Sequence, residues 1–224
     1  MPGPGAREAM SRAEYLERWT ALHGGVPATG LVGGWLAMAH ALARPLVRLR
    51  VGPDGVTLLG LLLAALALWP AAAGGRAALL VALVVTAAGV ADNLDGAVAV
   101  MTDRVTRAGA VLDAVCDRLA DAVFVGCLWL LGAPGPLVVA GGALAWLHEY
   151  LRSRAVAAGV DEVGVVSVSE RPTRIVVTVM FALAAGMYPA AQDLWATLGA
   201  AAWATLGAVG FAQVAVAVRR RLAG

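Results

Sequence analysis

Residues 92–100 read DNLDGAVAV and, after a gap of eight residues, residues 109–117 read GAVLDAVCD. This stretch sets four aspartates among alanine, valine and leucine, three residues apart in its first half and four apart in its second: Asp92, Asp95, Asp113 and Asp117. On a helix, side chains three or four residues apart share one face. The polar residues 102–106 predict a loop, so that two antiparallel helices direct both pairs of carboxylates at each other.

Carboxylates in so apolar a segment need compensation, because a charged side chain inside a bilayer is costly unless it is paired, hydrated or bound to metal. Hard divalent cations such as Mg²⁺ take oxygen ligands and often act together with phosphate groups. Two such ions about 3.5–4 Å apart can clamp the attacking and leaving oxygens of a phosphoryl transfer. The alternative is a set of helix charges paired with arginines, but four carboxylates at these spacings favour a metal site. Asp121, one turn further on, is left outside the predicted site.

The composition indicates an integral membrane protein. The chain has 224 residues, 60% of them hydrophobic, and its mean hydropathy is +0.78. There is room for six spans of about 20 residues with short loops. We therefore predict an all-α membrane protein with six transmembrane helices, preceded by an amphipathic interfacial helix.

The distribution of polar residues predicts that the chain has two regions. Residues 1–30 are predicted to be a polar cytoplasmic N-terminal extension, and residues 31–224 form the membrane domain. Within that domain, residues 31–50 set tryptophan, methionine and leucine at helical spacing against arginines, which is typical of a helix lying along the membrane surface. The spans are predicted at about 54–73, 77–101, 106–131, 137–156, 172–188 and 194–218.

Arginines are distributed unevenly between the two sides of these spans. One side carries only Arg76, whereas the other side carries the amphipathic helix, the C-terminal triplet 219–221 and three pairs of arginines: Arg104 and Arg107, Arg152 and Arg154, and Arg171 and Arg174. Because cytoplasmic loops are enriched in basic residues, the arginine-rich side is predicted to be cytoplasmic. We expect a multi-pass protein of the plasma membrane with the aspartates and both termini on the cytoplasmic side.

The aspartate stretch resembles the signature of the CDP-alcohol phosphotransferases, Asp-x2-Asp-Gly-x2-Ala-Arg-x8-Gly-x3-Asp-x3-Asp. Seven of its eight fixed positions are kept with both gaps at the family length, and the exception is Val100, where the signature has arginine. The resemblance implies a membrane transferase that moves a phosphatidyl group from CDP-diacylglycerol to the hydroxyl of a polar acceptor and releases CMP. It implies two divalent ions, Mg²⁺ or Mn²⁺, held by Asp92, Asp95, Asp113 and Asp117.

The same resemblance assigns further roles. Asp117 would also be the base that deprotonates the acceptor hydroxyl. The nucleotide would lie against Asp92, Gly96 and Ala99, and against Asp54 and Thr57 of a Pro-Asp-x-x-Thr step, although ordinary helix capping also explains that step. The family further implies a homodimer in the lipid bilayer, and no nucleic-acid partner is expected.

A set of arginines near the ends of the predicted spans favours a phosphate site, because guanidinium groups bind phosphate with two hydrogen bonds. Some arginines of this chain serve only the basic bias of cytoplasmic loops. The pattern Tyr-x-Arg-x-Arg, then a polar loop, then Glu-Arg-x-x-Arg resembles the bacterial phosphatidylinositol-phosphate synthases within the family, which implies inositol phosphate as acceptor. The predicted acceptor-phosphate residues are Arg118, Arg152, Arg154, Arg171 and Arg174.

Several alternatives stay open on the sequence. The same chemistry with glycerol 3-phosphate or phosphatidylglycerol as acceptor is one, and a transporter is another, since intramembrane carboxylates also mark transport pathways. Val100 suggests a third, a non-catalytic homologue that binds nucleotide or lipid. Arg104 and Arg107, one to two turns away, are the candidates to supply the charge that the signature arginine would carry. The three histidines have no metal-like partner spacing and are predicted to be surface or interfacial residues: His23, His40 and His148.

Overall fold

The computed structural model describes residues 10–22, 24–25, 27, 29–160 and 166–222. The beginning of the predicted extension, His23 and part of the polar loop at 161–165 lie outside them. In the described part, the chain is helical without strands, and its α-helices in chain order are α1 (Arg12–Leu22), α2 (Gly30–Arg48), α3 (Pro53–Leu66), α4 (Leu68–Ala73), α5 (Ala78–Thr102), α6 (Arg107–Leu130), α7 (Gly135–Ala157), α8 (Arg171–Met187) and α9 (Gln192–Leu222). The all-α prediction is confirmed.

Three segments of the described chain are long and apolar enough to cross a membrane: Pro53–Ala73, Gly75–Thr102 and Pro189–Leu222. The helices α6, α7 and α8 occupy the other three predicted spans, with ends within a few residues of those expected. These three helices are not long and apolar enough by the same measure, because α6 and α7 carry several charged side chains and α8 has only 17 residues. Helices with the length and composition of membrane spans are therefore present, while the full number of six spans stays a prediction.

The chain divides into two compact units. Unit 1 comprises Met1–Gly60 and Val90–Cys116, and unit 2 comprises Leu61–Gly89 and Asp117–Gly224. In unit 1, an apolar core joins α1, α2, α3 and the end of α5, and it includes Tyr15, Leu36, Val56 and Val98. The part of the predicted extension that the structure describes thus contains a helix that packs into unit 1.

The helix α2 has two apolar faces. Leu36 and Ala43 are buried in the core of unit 1, whereas Trp35, Met38 and Leu42 are exposed. An exposed row of large apolar side chains on a helix is the feature expected of an interfacial helix, because such a face is stable when it lies in the lipid boundary.

Unit 2 is built around a core of small and large apolar residues from α3 to α9. Ala67, Ala185 and Ala200 are fully buried together with Phe124 and Leu128. The helix α9 packs along α7 and α8. Small residues let helices approach closely in a membrane, where packing rather than the hydrophobic effect holds them together.

The sequence predicts surface or interfacial positions for the histidines, but the two that the structure describes are buried inside the fold, so the surface placement is wrong for them. His40 is 6% exposed, and its Nε2 lies 2.9 Å from the carbonyl oxygen of Met10 beside the ring of Tyr15. His148 is completely buried, with Nε2 at 2.8 Å from Oγ of Ser167. The imidazole is tolerated inside because each ring finds a polar partner, which local sequence does not reveal.

Candidate active site

Three of the four predicted metal ligands meet in unit 1. Asp92 and Asp95 project from α5 and Asp113 projects from α6, and one carboxylate oxygen of each lies within 4.8 Å of the others. Asp95 is buried and the other two are half-buried. The negative charges of the three carboxylates repel one another at these distances, and a bound cation would offset that repulsion. The donor set is all oxygen, so it fits a hard divalent ion such as Mg²⁺ or Mn²⁺.

Asp95 is oriented by two hydrogen bonds. The hydroxyl of Thr57 on α3 donates to Oδ2 of Asp95 at 2.6 Å, and the backbone N–H of Gly96 donates to Oδ1 at 2.5 Å. The predicted nucleotide contact of Thr57 stays a prediction, but its bond to Asp95 is a role that the sequence analysis missed. The partners lie 38 residues apart, so no local pattern could have found them.

A cavity of about 150 Å³ opens beside this cluster. It is lined by the first turn of α3, one face of α5, the loop after it and the start of α6: Pro53, Asp54, Thr57, Asp95, Gly96, Ala99, Arg104, Val105, Thr106, Gly109, Ala110 and Asp113. The structure therefore brings four of the five predicted nucleotide residues, Asp54, Thr57, Gly96 and Ala99, to one cavity, and the fifth, Asp92, belongs to the adjoining carboxylate cluster.

The two glycines of the signature shape this cavity differently. A Cβ atom at Gly96 would meet nothing within 4 Å, so Gly96 leaves open space at the wall. A Cβ atom at Gly109 would lie 3.1 Å from Oγ1 of Thr106 and 3.3 Å from Oδ1 of Asp54. Glycine at position 109 thus allows α6 to begin close against Asp54.

In unit 2, a second set of acidic side chains is interleaved with arginines. Asp117 forms an ion pair with Arg171, and its Oδ2 lies 3.9 Å from Nη2 of Arg118. Asp121 lies 3.3 Å from Nη2 of Arg118 and 2.5 Å from Nη1 of Arg174.

Glu149 on α7 completes this network. Its Oε1 lies 3.3 Å from Nη1 of Arg118 and 2.8 Å from Nη2 of Arg174. The side chains of Arg174 and Asp121 are only 3% and 1% exposed. Buried charges of opposite sign in this geometry stabilise one another, and removing one of them leaves the rest uncompensated.

The five predicted acceptor-phosphate arginines therefore have different surroundings. Arg118 and Arg171 are partly buried beside Asp117, and Arg174 is buried in its ion pairs. Nη2 of Arg152 lies 2.5 Å from Oε1 of Glu170, which also accepts a hydrogen bond from the backbone N–H of Ser167. Arg154 is exposed near the end of α7. Their binding of a phosphate stays a prediction, and the burial of Arg174 makes it the member of the set least able to touch a ligand.

Comparison with known proteins identifies relatives of this arrangement. The sequence model of the CDP-alcohol phosphatidyltransferase family matches residues 50–214. A phosphatidylinositol phosphate synthase of Mycolicibacterium smegmatis is 35% identical over 156 residues, which cover 65% of this chain and 68% of the relative.

The solved structures that resemble this chain include enzymes with the same name as that relative. The phosphatidylinositol phosphate synthase of Mycobacterium tuberculosis in complex with manganese and citrate has a TM-score of 0.67 at 30% identity, covering 81% of this chain and 88% of that chain. The same enzyme with CDP-DAG bound has a TM-score of 0.62 at 31% identity, covering 79% and 92%. The chain described here belongs to the CDP-alcohol phosphatidyltransferase family.

Proposed function

We propose that this protein is a phosphatidylinositol phosphate synthase, which transfers the phosphatidyl group of CDP-diacylglycerol to inositol phosphate and releases CMP. The observation that carries the proposal is the convergence of Asp92, Asp95 and Asp113 beside a cavity lined by the predicted nucleotide residues. A transporter needs no such combination of a signature-spaced carboxylate cluster and an adjoining cavity. The relatives' names and their complexes with manganese and CDP-DAG support the donor, the metal and the acceptor.

The carboxylates of Asp92, Asp95 and Asp113 would hold a divalent cation, Mg²⁺ or Mn²⁺. Asp117, one helical turn after Asp113 in the sequence, is proposed as the remaining carboxylate of a two-ion site. When bound, the metal supplies positive charge for the diphosphate and for the CMP that leaves. Thr57 keeps Asp95 in the orientation for ligation, which is the role of an outer-shell partner.

The reaction forms one P–O bond and breaks another. The acceptor hydroxyl oxygen bonds to the phosphorus of the phosphatidyl group, and the bond from that phosphorus to the CMP oxygen breaks. Asp117 takes the proton of the attacking hydroxyl, and CMP leaves with the electron pair of the broken bond. A carboxylate does this only for a hydroxyl held in contact with it. Arg171 and Arg118, which flank Asp117, restrict its position.

The acceptor's own phosphate is proposed to bind near four arginines: Arg118, Arg152, Arg154 and Arg171. Arg174 is proposed to support this site indirectly, through its ion pairs with Asp121 and Glu149. A phosphorylated polyol brings about two negative charges, and each charge-assisted hydrogen bond contributes only about 1.5–3 kcal/mol, so several guanidinium groups are needed. Free inositol or a lipid acceptor would not need them.

The decisive experiment uses purified protein with CDP-diacylglycerol and Mn²⁺, and measures CMP release with four acceptors in turn: inositol phosphate, free inositol, glycerol 3-phosphate and phosphatidylglycerol. We expect turnover with inositol phosphate. Turnover with glycerol 3-phosphate or phosphatidylglycerol alone would leave the donor chemistry intact and refute the acceptor. A failure to release CMP with any acceptor would favour the non-catalytic homologue.

For the membrane arrangement, we propose six spans, a homodimer, and a cytoplasmic cavity with both termini inside the cell. Cysteine labelling tests the orientation, and the two native cysteines, Cys116 and Cys127, are buried and give little background. Ala73→Cys and Val105→Cys place the probe at exposed positions on opposite sides of the span that contains α5. A membrane-impermeant maleimide should label the first in intact cells and the second only after permeabilisation. The reverse pattern would place the cavity outside.

A further inference from the structure

Position 100, where the family signature has arginine, does not supply a positive charge to the cavity of unit 1. Val100 is 7% exposed and lies in the apolar core that also contains Tyr15, Leu36 and Ala39. A guanidinium buried there would lack water and, among apolar neighbours, would be strongly destabilising. Any positive charge that the protein contributes to the cavity must come from another position.

The described residues that line the cavity include three carboxylates, from Asp54, Asp95 and Asp113, and a single positively charged side chain, Arg104. Nη1 of Arg104 lies 3.7 Å from the Cβ position at Gly52, directly before the first turn of α3. The guanidinium therefore lies beside a helix N-terminus, whose backbone N–H groups also favour negative charge. A diphosphate entering the cavity would meet both.

The backbone of Arg104 is fixed by the way α5 ends. Asp103 adopts a left-handed conformation with φ of 57°. The N–H of Arg104 then donates to the carbonyl of Ala99 at 2.9 Å, and the N–H of Asp103 points to the carbonyl of Val100 at 3.4 Å. This pair of bonds is the Schellman motif, which reverses the chain at a helix C-terminus. It holds Arg104 against Ala99, itself a residue of the cavity wall.

The structure also separates the two arginines that the sequence left as alternatives. Both side chains are exposed, but Arg104 lines the cavity, whereas Arg107, which begins α6, is not among the residues that line it. It lies three positions from Arg104 in the same connection and carries the same charge. Arg107 is therefore a matched control for any effect that depends only on the net charge of this loop.

We propose that Arg104 binds the diphosphate of the nucleotide donor in the cavity of unit 1. This assignment rests on the proposed function, since it needs a ligand of the CDP type. Arg104 then restores, from the loop after α5, a positive charge that Val100 does not provide. Arg104 is not a metal ligand, so its effect is on the affinity for the nucleotide.

Calorimetry of the purified protein in detergent tests the proposal, with CDP as a water-soluble probe that lacks acyl chains, in Mn²⁺ buffer and in EDTA. Arg104→Ala should weaken CDP binding by about 10- to 100-fold, the range expected for a lost charge-assisted hydrogen bond. Arg104→Lys should lie between, because it keeps the charge and loses the planar fork. Arg107→Ala should bind CDP like the unaltered protein. Arg104→Ala should not weaken Mn²⁺ binding, measured in the absence of nucleotide.

Three results would overturn the assignment. Unchanged CDP affinity in Arg104→Ala would refute it directly, and an equal loss in Arg107→Ala would reduce it to a net-charge effect. A parallel loss of Mn²⁺ binding in Arg104→Ala would show that the residue merely supports the fold of the cavity. A lack of CDP binding by the unaltered protein would instead contradict the proposed function itself, and Arg104 would fall with it.

Discussion

Unit 1 and unit 2 each contain a set of acidic side chains to which α6 contributes, and the two sets have different neighbours. In unit 1, the carboxylates of Asp92, Asp95 and Asp113 converge within 4.8 Å. In unit 2, Asp117, Asp121 and Glu149 are interleaved with three guanidinium groups, from Arg118, Arg171 and Arg174. The converging carboxylates of unit 1 fit an external cation, whereas the acidic side chains of unit 2 lie beside guanidinium groups of the protein.

This difference predicts different effects of substitution at the converging carboxylates of unit 1 and at the most buried ion pair of unit 2, which joins Asp121 and Arg174. A cluster of like charges is useful only when a ligand completes it, so its substitution should affect metal binding and turnover more than folding. A buried set of opposite charges is completed by the fold, so removing one member should affect stability first. Each of the following experiments tests that contrast.

The largest effect is expected at the converging carboxylates. Asp113→Asn should lower CMP release by about 1000-fold or more, because a bound metal contributes several kcal/mol of charge stabilisation. Mn²⁺ binding should be lost in parallel, while the thermal midpoint in EDTA should not fall. Asp103→Asn is the matched control, since Asp103 is exposed and asparagine tolerates its left-handed backbone. Retained turnover in Asp113→Asn would remove the metal centre from unit 1.

An aspartate-to-asparagine substitution in unit 2 should instead lower the stability of the protein. Asp121→Asn removes the buried carboxylate that pairs with Arg174 and Arg118, and leaves them only the more exposed carboxylates of the network, such as Glu149. We expect it to lower the free energy of unfolding by about 3–5 kcal/mol. Asp103→Asn again serves as control: its ion pair with Arg18 is solvent-exposed, and the loss should be within about 1 kcal/mol. Denaturant resistance in detergent measures both. An Asp121→Asn protein as stable as the unaltered one would mean that this network is not held together by its charges.

An intermediate effect is expected at the partner of Asp95. Thr57→Val removes the 2.6 Å hydrogen bond to Asp95 and keeps the shape of the side chain. Outer-shell partners of metal ligands typically change affinity by about 10- to 100-fold, so Mn²⁺ should bind correspondingly more weakly. Thr86→Val is the control, because Thr86 is exposed and its hydroxyl donates within its own helix, to Ala82. Equal Mn²⁺ affinities of the two variants would leave Thr57 as a nucleotide contact or a helix cap.

The smallest effect distinguishes two of the predicted acceptor arginines. Arg171→Ala should raise the KM for inositol phosphate by about 10-fold, the lower end of the range for a lost charge-assisted hydrogen bond. Arg154→Ala, at an exposed position, should raise it less, and neither should change CDP affinity. A loss of CDP affinity in Arg171→Ala would move this arginine from the acceptor to the donor.

Much of the fold was predictable because the signals are local. Helical periodicity and the apolar runs located α2 and the six later helical segments to within a few residues, and the spacing of Asp92, Asp95 and Asp113 indicated a shared site. These features depend on neighbours one turn away along the chain. The signature added the identity of the family, which the matching of residues 50–214 confirms.

Other features arise only when distant segments pack together. The bond between Thr57 and Asp95, the burial of His148 against Ser167, and the ion pair of Arg174 with Asp121 join residues separated by 38, 19 and 53 positions. Whether an arginine faces a ligand or a carboxylate depends on which helix lies beside it. The residues next to the arginine in the sequence do not distinguish these two cases.

The sequence by itself determined that this chain is helical, that it has apolar helices of membrane-spanning length, and that its aspartates are spaced for a metal site. The tertiary structure decided which carboxylates converge on one another and which lie beside a guanidinium group. It placed Val100, near the end of α5, in an apolar core and Arg104, four positions later in the following loop, at the cavity. The physical reason is that the spacing of residues along the sequence decides which side chains share one face of a helix. The segment that this face contacts is decided only by how the helices pack together.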